Sequence, residues 1–221
     1  MHKSVKNIID LNDKVKQKIQ ELNYSNYYPQ IIAVSKTFSM DMIMPLIDYG
    51  HEHYGENKVQ ESVNKWSEIK KSKNNIKLHM IGKLQRNKVS QAVSIFDYIH
   101  SVDNIKLAKK ISEEQTKQKK NIKVFIQVNI GEEDQKNGVL IKNVNELKNE
   151  CINLNLNVIG LMCLPPINVS VQNYFSLIKN KNDEFGFKDL SLGMSNDYID
   201  ALKYRTTFIR IGTKIFGERI K

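Results

Sequence analysis

Apolar residues recur at helical intervals from the start of the chain. Val5, Ile8, Ile9, Leu11, Val15, Ile19 and Leu22 predict an amphipathic helix over residues 3–23. Asparagines and tyrosines at 23–28 break that pattern, and Pro29 ends it. From there, short apolar runs alternate with polar loops and helical spacing. The runs Ile31–Ser35, His53–Gly55, Lys77–Ile81, Tyr98–Ser101, Lys123–Asn129, Asn157–Met162, Leu190–Leu192 and Phe208–Ile211 predict eight strands. Helical periodicity fills 40–49, 57–69, 104–118, 143–154, 170–180 and 196–203 between them. Strand–helix alternation predicts parallel βαβ units. Eight such units, with no run of strands alone, predict an α/β fold: a closed (β/α)8 TIM barrel with an extra N-terminal helix. An open doubly wound sheet is the alternative on pattern alone. No internal repeat or low-complexity linker interrupts the chain, so residues 1–221 are expected to form a single domain.

Composition narrows the classes. A length of 221 residues suits one core, and 40% hydrophobic with 26% charged residues is globular rather than disordered. The net charge of +10 raises nucleic acid as a partner. The cations are mostly lysines, however, scattered as pairs such as Lys70-Lys71, Lys109-Lys110 and Lys119-Lys120 between acids. With no arginine stripe interleaved with aromatics, nucleic acid is not the expected partner. The two cysteines, Cys151 and Cys163, make no CxxC and no metal spacing, which points to a reducing compartment. The N-terminus lacks the apolar stretch of a signal peptide, and no run approaches the ~18 apolar residues of a membrane span. A cytoplasmic location is expected.

A barrel places functional groups at the C-terminal ends of its strands. The polar or glycine-bearing residues there are Ser35-Lys36, Glu56-Asn57, Gly82, Ser101, Asn129, Met162-Cys163, Gly193-Met194-Ser195 and Gly212-Thr213. Lys36 closes an apolar run. Desolvation there would favour its neutral amine, the form that attacks a carbonyl; a lysine that simply leads its charge out to water is the alternative. Gly212-Thr213 combines close backbone access with a hydroxyl donor, which suits a phosphate, although a tight turn reads the same way. Arg210 alternates with Ile209 and Ile211 and so faces away from both. Ser195 or Asn196 is placed to cap a helix or to meet an anion at its start. His79 reads as a core histidine. His51 and His53 have no third partner at a metal-ligand spacing, so no metal site is expected.

Taken in order, these strings resemble the pyridoxal-phosphate homeostasis proteins, a family related to the N-terminal barrel of alanine racemase. The resemblance rests on Ala33-Val34-Ser35-Lys36, His53-Tyr54-Gly55-Glu56-Asn57 with Gln60-Glu61, and His79-Met80-Ile81-Gly82 with Leu84-Gln85 and Asn87-Lys88. It continues through Ser101-Val102-Asp103, Gln127-Val128-Asn129, Lys136 with Gly138 and Gly160-Leu161-Met162. Leu190-Ser191 with Gly193-Met194-Ser195 and Asp197, and Arg210-Ile211-Gly212-Thr213 with Ile215-Phe216-Gly217, complete it. Departures are small: Lys83 and Arg86 are basic at variable positions, Leu192 stands where Met is common, and the tail Glu218-Arg219-Ile220-Lys221 bears no proposed contact.

The resemblance implies a fold-type III barrel holding pyridoxal 5′-phosphate (PLP) as a Schiff base on Lys36. Ser195, Gly212 and Thr213 would bind the phosphate, Arg210 would face the pyridine nitrogen, and Asn57 and Met162 would lie beside the ring. Lys136 matches a second lysine thought to accept the cofactor transiently in some members. The expected function is intracellular PLP homeostasis without robust turnover, so no catalytic residue is assigned and no metal is implied. An arginine does not surrender its proton and leaves the ring a poorer electron sink. The second domain and acid/base tyrosine of the racemases are not expected here, although Tyr54 and Tyr204 lie within the barrel sequence. The alternative is a PLP-dependent amino-acid racemase or lyase of low activity; a basic nucleic-acid-binding barrel is a third reading. Partners implied are PLP and PLP-dependent apoenzymes, with no membrane, and a monomer is the expected state.

Overall fold

The computed structural model describes residues 1–166 and 169–218, so of the closing tetrapeptide only Glu218 is described. Eight parallel strands form a closed ring: β1 (Gln30–Val34), β2 (His53–Glu56), β3 (Lys77–Met80), β4 (Tyr98–Val102), β5 (Lys123–Asn129), β7 (Asn157–Cys163), β8 (Asp189–Met194) and β9 (Phe208–Ile211). Pairing of β4 with β5 and of β9 with β1 closes it, and the eight strands are those the apolar runs predict. A two-residue strand, β6 (Val139–Leu140), pairs with the end of β5 outside the ring and is not among the predicted strands. Helices α2 (Met40–Asp48), α3 (Val59–Ser72), α4 (Val89–Ile95), α5 (Ile105–Lys117), α6 (Val144–Asn153), α7 (Gln172–Glu184), α8 (Tyr198–Leu202) and α9 (Thr213–Phe216) follow the strands. Between β3 and α4 the chain makes a 3-10 turn at Arg86–Lys88.

The extra helix α1 (Lys3–Glu21) has a mechanical reason. Helix α9 is a single turn and cannot cover the outer faces of β9 and β1. Helix α1 fills that gap, packing against α2, α8 and α9, with Val5, Ile8, Leu11, Val15 and Ile19 buried. Asn7 pins it by donating from Nδ2 to the Ile215 carbonyl at 2.9 Å.

Alternation along each strand divides the apolar residues into two compartments. Ile31, Ala33, Leu78, Met80, Val124, Ile126, Leu190, Leu192, Ile209 and Ile211 face the helices. Ile32, Tyr98, Phe125, Met162 and Phe208 face inward and pack among themselves. The interior beneath the C-terminal mouth is therefore filled by side chains.

One local expectation is corrected. Neither Ser195 nor Asn196 caps α8, whose N-cap is Asp197. Gly193 holds φ 88°, a left-handed conformation that glycine adopts without penalty, and a bulge separates Ser191 from Met194 in the pairing with β9. The Asp197 carboxylate accepts the Met194 N–H at 2.5 Å, tying the turn and leaving Ser195 and Asn196 at its tip.

Truncating α1 tests its role in closing the shell. Leu11, 3% exposed, is expected to cost roughly 2–5 kcal/mol as Leu11→Ala in urea unfolding. A loss within the few tenths of a surface substitution would show that α1 is not part of the cooperative fold.

Candidate functional site

A cavity of about 450 Å³ opens at the C-terminal mouth. It is bounded by Lys36, Asn57, Ser195, Arg210, Gly212 and Thr213, so six of the seven positions expected from the sequence converge on one space. The seventh, Met162, does not reach the wall. It is fully buried in the interior cluster with Phe125 and Phe208, and Leu164, two residues on, lines the cavity instead. Gln127, quoted only as part of a matching string, and Asn137 were not among the expected site residues and also line it. Gln127 donates to the Asn137 carbonyl at 3.1 Å, and its inward alternation in β5 was the available signal.

Lys36 is held between two fixed neighbours. Ser35 donates its backbone N–H to the Gly55 carbonyl at 3.0 Å and its hydroxyl to Glu56 Oε1 at 2.8 Å. That oxygen also accepts from Lys65 Nζ and Trp66 Nε1, each at 3.0 Å, so α3 is locked to the end of β2. On the other side Thr37 sits at φ 70°, a left-handed conformation costing a non-glycine residue roughly 1–2 kcal/mol. Glu61 compensates by accepting the Thr37 N–H at 3.0 Å. Strain of this kind, fixed by a side chain, sits beside the residue that the sequence marks as reactive.

Asn57 reaches the cavity because Gly82 has no side chain. A Cβ at Gly82 would stand 2.5 Å from the Asn57 carbonyl oxygen and 2.8 Å from its Cα. Gly212 differs: a Cβ there would meet Val34 at an ordinary 3.5 Å, so internal packing does not demand glycine.

Arg210 projects into the interior and is 4% exposed. Its Nη1 donates to the Ser191 carbonyl at 2.8 Å and the Ser191 hydroxyl at 2.6 Å, and Nη2 donates to the Cys163 carbonyl at 3.0 Å. Burial pulls the guanidinium below its ordinary value, with Cys163 and Asp197 acting the other way. Among the described residues no carboxylate forms an ion pair with it, and the side chains lining the cavity include Lys36, Lys83 and Arg210 but no acid. The arrangement suits an anionic ligand with hydrogen-bond acceptors.

Neither tyrosine considered as an acid/base lines this cavity. Tyr54 is buried outside the barrel wall, donating to the His51 carbonyl and packing on Trp66. Tyr204 donates to the Gln172 carbonyl and packs on Phe175. Lys136 lies outside the wall too, paired with Glu133 at 3.0 Å and bonded to the Pro165 carbonyl. A second cavity of about 520 Å³, at the opposite end among Lys70, Lys77, Tyr98 and Lys123, contains none of the expected site residues. Among the described residues no three His, Cys, Asp or Glu side chains group as metal ligands, and no helix is long and apolar enough to cross a membrane.

The fold and the lysine at the end of β1 define a barrel of the alanine racemase type, and the family described as alanine racemase, N-terminal domain, matches residues 9–220. Within it, the chain belongs to the pyridoxal phosphate homeostasis protein family. It is 36% identical to the member from Buchnera aphidicola subsp. Schizaphis graminum, over 97% of this chain and 100% of that one. It is 31% identical to the Escherichia coli K12 member over 96% and 95% of the two chains. Among solved structures, PipY of Synechococcus elongatus PCC7942 with PLP bound aligns with a TM-score of 0.79 at 29% identity, covering 92% of this chain and all of that one. Alanine racemase of Clostridium difficile 630 aligns with a TM-score of 0.68 at 17% identity, covering 95% of this chain and 57% of that one, a likeness of fold.

His79 and His100 are fully buried, and burial holds both rings well below their ordinary value. A base whose folded value is depressed takes up protons more readily once unfolded. Stability is therefore complete above the unfolded value of about 6.5 and falls as the pH drops beneath it. Each ring should withdraw roughly 1.4 kcal/mol per pH unit once the pH is well below that point. Urea unfolding at pH 7.5 and 5.0 measures this, and equal stabilities would show that the rings are not buried in neutral form.

Proposed function

We propose that this chain binds PLP in the cavity at the C-terminal mouth, as a Schiff base on Lys36, and buffers or delivers it within the cell without robust turnover. The observation that carries the reading is the convergence of Lys36, Asn57, Ser195, Arg210, Gly212 and Thr213 on one cavity without an acidic lining residue. The residues present fit the group. An amine, hydroxyl donors, an unobstructed glycine and a buried cation without a carboxylate partner match its aldehyde, phosphate and pyridine ring. The name shared by the curated relatives and the PLP-bound PipY structure support the same ligand.

Bound PLP supplies an aldehyde that condenses with amines and a ring that stabilises a neighbouring carbanion when its nitrogen is protonated. Lys36 supplies the amine. Ser195 and Thr213, at the turn after β8 and the start of α9, would donate hydroxyls to the phosphate, with Gly212 leaving that approach open. Arg210, an obligate donor, would hold the ring nitrogen in its unprotonated form. Asn57 would flank the ring, while Met162 belongs to the packed layer of the barrel interior. With no tyrosine lining the cavity among the described residues, the acid/base tyrosine that the racemase reading calls for has no candidate there. Holding the aldehyde, rather than spending it on carbanion chemistry, is the use this lining favours. Recipients would be PLP-dependent apoenzymes, the compartment cytoplasmic, consistent with two buried free cysteines, and the working unit a monomer.

Absorption spectroscopy followed by borohydride reduction and peptide mapping tests the site. The expected result is a Schiff-base band with the label on Lys36, and loss of the band in Lys36→Ala; a band of full strength in that variant would remove Lys36 from the role. Thr213→Val should weaken PLP retention about tenfold, as loss of a hydrogen bond to a charged group does. Unchanged retention would remove Thr213 from the phosphate site. Exchange of amino-acid α-protons in deuterated buffer, above the Lys36→Ala level, would replace the carrier reading with the racemase one.

A further inference from the structure

A continuous hydrogen-bonded chain crosses the barrel interior beneath the mouth. His53 Nδ1 lies 2.9 Å from His79 Nε2, and His79 Nδ1 lies 2.9 Å from His100 Nε2. His100 Nδ1 lies 3.0 Å from Ser191 Oγ, which accepts from Arg210 Nη1. The chain passes along β2, β3 and β4 and then reaches across the lumen to β8 and β9. At 2.9 Å, facing ring nitrogens share a proton and leave no room for a metal ion between them. Stacking fixes the ring planes, with His79 on Tyr98 at 4.2 Å and His100 on Phe125 at 4.3 Å between centroids.

The direction of the chain follows from its only obligate donor. A guanidinium cannot accept, so the Ser191 oxygen accepts from Arg210. Among the described residues the Ser191 hydroxyl has two side-chain neighbours, Arg210 and His100. Its proton therefore goes to His100 Nδ1; a proton on His100 Nδ1 instead would strand a buried hydroxyl, a loss of roughly 1–3 kcal/mol. A neutral His100 then carries its proton on Nε2 and donates to His79 Nδ1. His79 likewise donates from Nε2 to His53 Nδ1. Each ring turns its lone pair toward Arg210 and its N–H away, the sense in which aligned dipoles stabilise a cation. Burial of His79 and His100 keeps both rings neutral, and the Arg210 charge itself opposes protonation of His100.

We propose that Ser191, His100, His79 and His53 are the positioning residues of Arg210: an oriented dipole chain, protonated on Nε2 at every ring, that takes the place of a carboxylate partner and holds the guanidinium at the floor of the ligand cavity. The chain itself rests on the protein's own geometry. Its consequence for a ring nitrogen rests on the PLP reading above. The chain holds Arg210 as a fixed cation without neutralising it, so its charge remains available to a ligand at the mouth.

Long-range proton–nitrogen correlation spectra of ligand-free, 15N-histidine-labelled protein at pH 7.5 read the chain directly. Expected are protonated Nε2 and bare Nδ1 at His53, His79 and His100; a proton on Nδ1 at any of the three overturns the proposal. In Ser191→Ala, His100 Nδ1 loses its hydroxyl donor, so its 15N signal is expected to move toward that of a bare nitrogen without a hydrogen bond, while the exposed His2 is unchanged. An unaltered His100 in that variant overturns the proposal as well. Free PLP should bind Ser191→Ala about tenfold more weakly, and Ser191→Thr, which keeps the hydroxyl, should restore both the His100 signal and the affinity. Affinity that falls without recovery in Ser191→Thr, although the His100 signal recovers, would assign Ser191 a packing role and overturn the positioning one. If the parent protein bound no PLP, the Schiff-base reading would fail, while the spectra would still decide the chain.

Discussion

A closed parallel ring has no edge strand, and that closure governs what every other residue is free to do. Once β4 pairs with β5 and β9 with β1, each strand residue faces either the helices or the lumen. The outer face meets amphipathic helices and is filled with aliphatic side chains. The lumen is too narrow for helices and must be filled by the strands themselves. Here the filling is mixed: Ile32, Phe125, Met162 and Phe208 lie beside three histidines, a serine and an arginine.

That mixture makes the floor of the mouth polar without making it acidic. Buried polar groups must be hydrogen-bonded, and the lumen satisfies them in a line rather than one by one. Arg210 contributes donors only, so the groups around it are the carbonyls of Cys163 and Ser191 and the Ser191 hydroxyl. A carboxylate beside Arg210 would have neutralised the charge. Neutral acceptors leave it directed at the cavity, where the lining side chains include Lys36 and Lys83 and no acid.

The strand ends convert this interior into a site. The Glu56 carboxylate gathers Ser35, Lys65 and Trp66, tying the end of β1, the end of β2 and α3 together. Thr37 takes the strain of turning the chain away immediately after Lys36. The bulge at Gly193 and the Asp197 clasp place Ser195 at the end of β8, two strands along the ring from Lys36. The result is a cavity in which Lys36, Thr213 and Ser195 stand at the ends of the neighbouring strands β1, β9 and β8, an arrangement suited to holding a small bifunctional anion.

How much of this was legible in the sequence follows from the range of each interaction. Periodicity is local, so the eight ring strands, α1 and the position of Lys36 at the end of β1 could be read from the chain. The alternation of Ile209, Arg210 and Ile211 gave the facing of Arg210 relative to its neighbours. Strand ends gave Lys36, Asn57, Gly82, Met194, Ser195, Gly212 and Thr213 among the residues that line the cavity, because a barrel brings all its C-terminal ends together. The two-residue β6 and the single-turn α9 were too short to be read, and Ser195 or Asn196 was expected at the cap position that Asp197 occupies. Met162 was placed by its strand end, but whether an inward residue reaches the mouth depends on its height in the lumen, which alternation does not give. The tyrosines were excluded from the cavity only by packing against Trp66 and Phe175. The histidine chain lay furthest out of reach: His100 and Ser191 are 91 residues apart and meet only when the ring has closed. The sequence determined which residues face inward; the closed barrel alone decided which of them touch, because contacts across a lumen depend on the shear and curvature of all eight strands together.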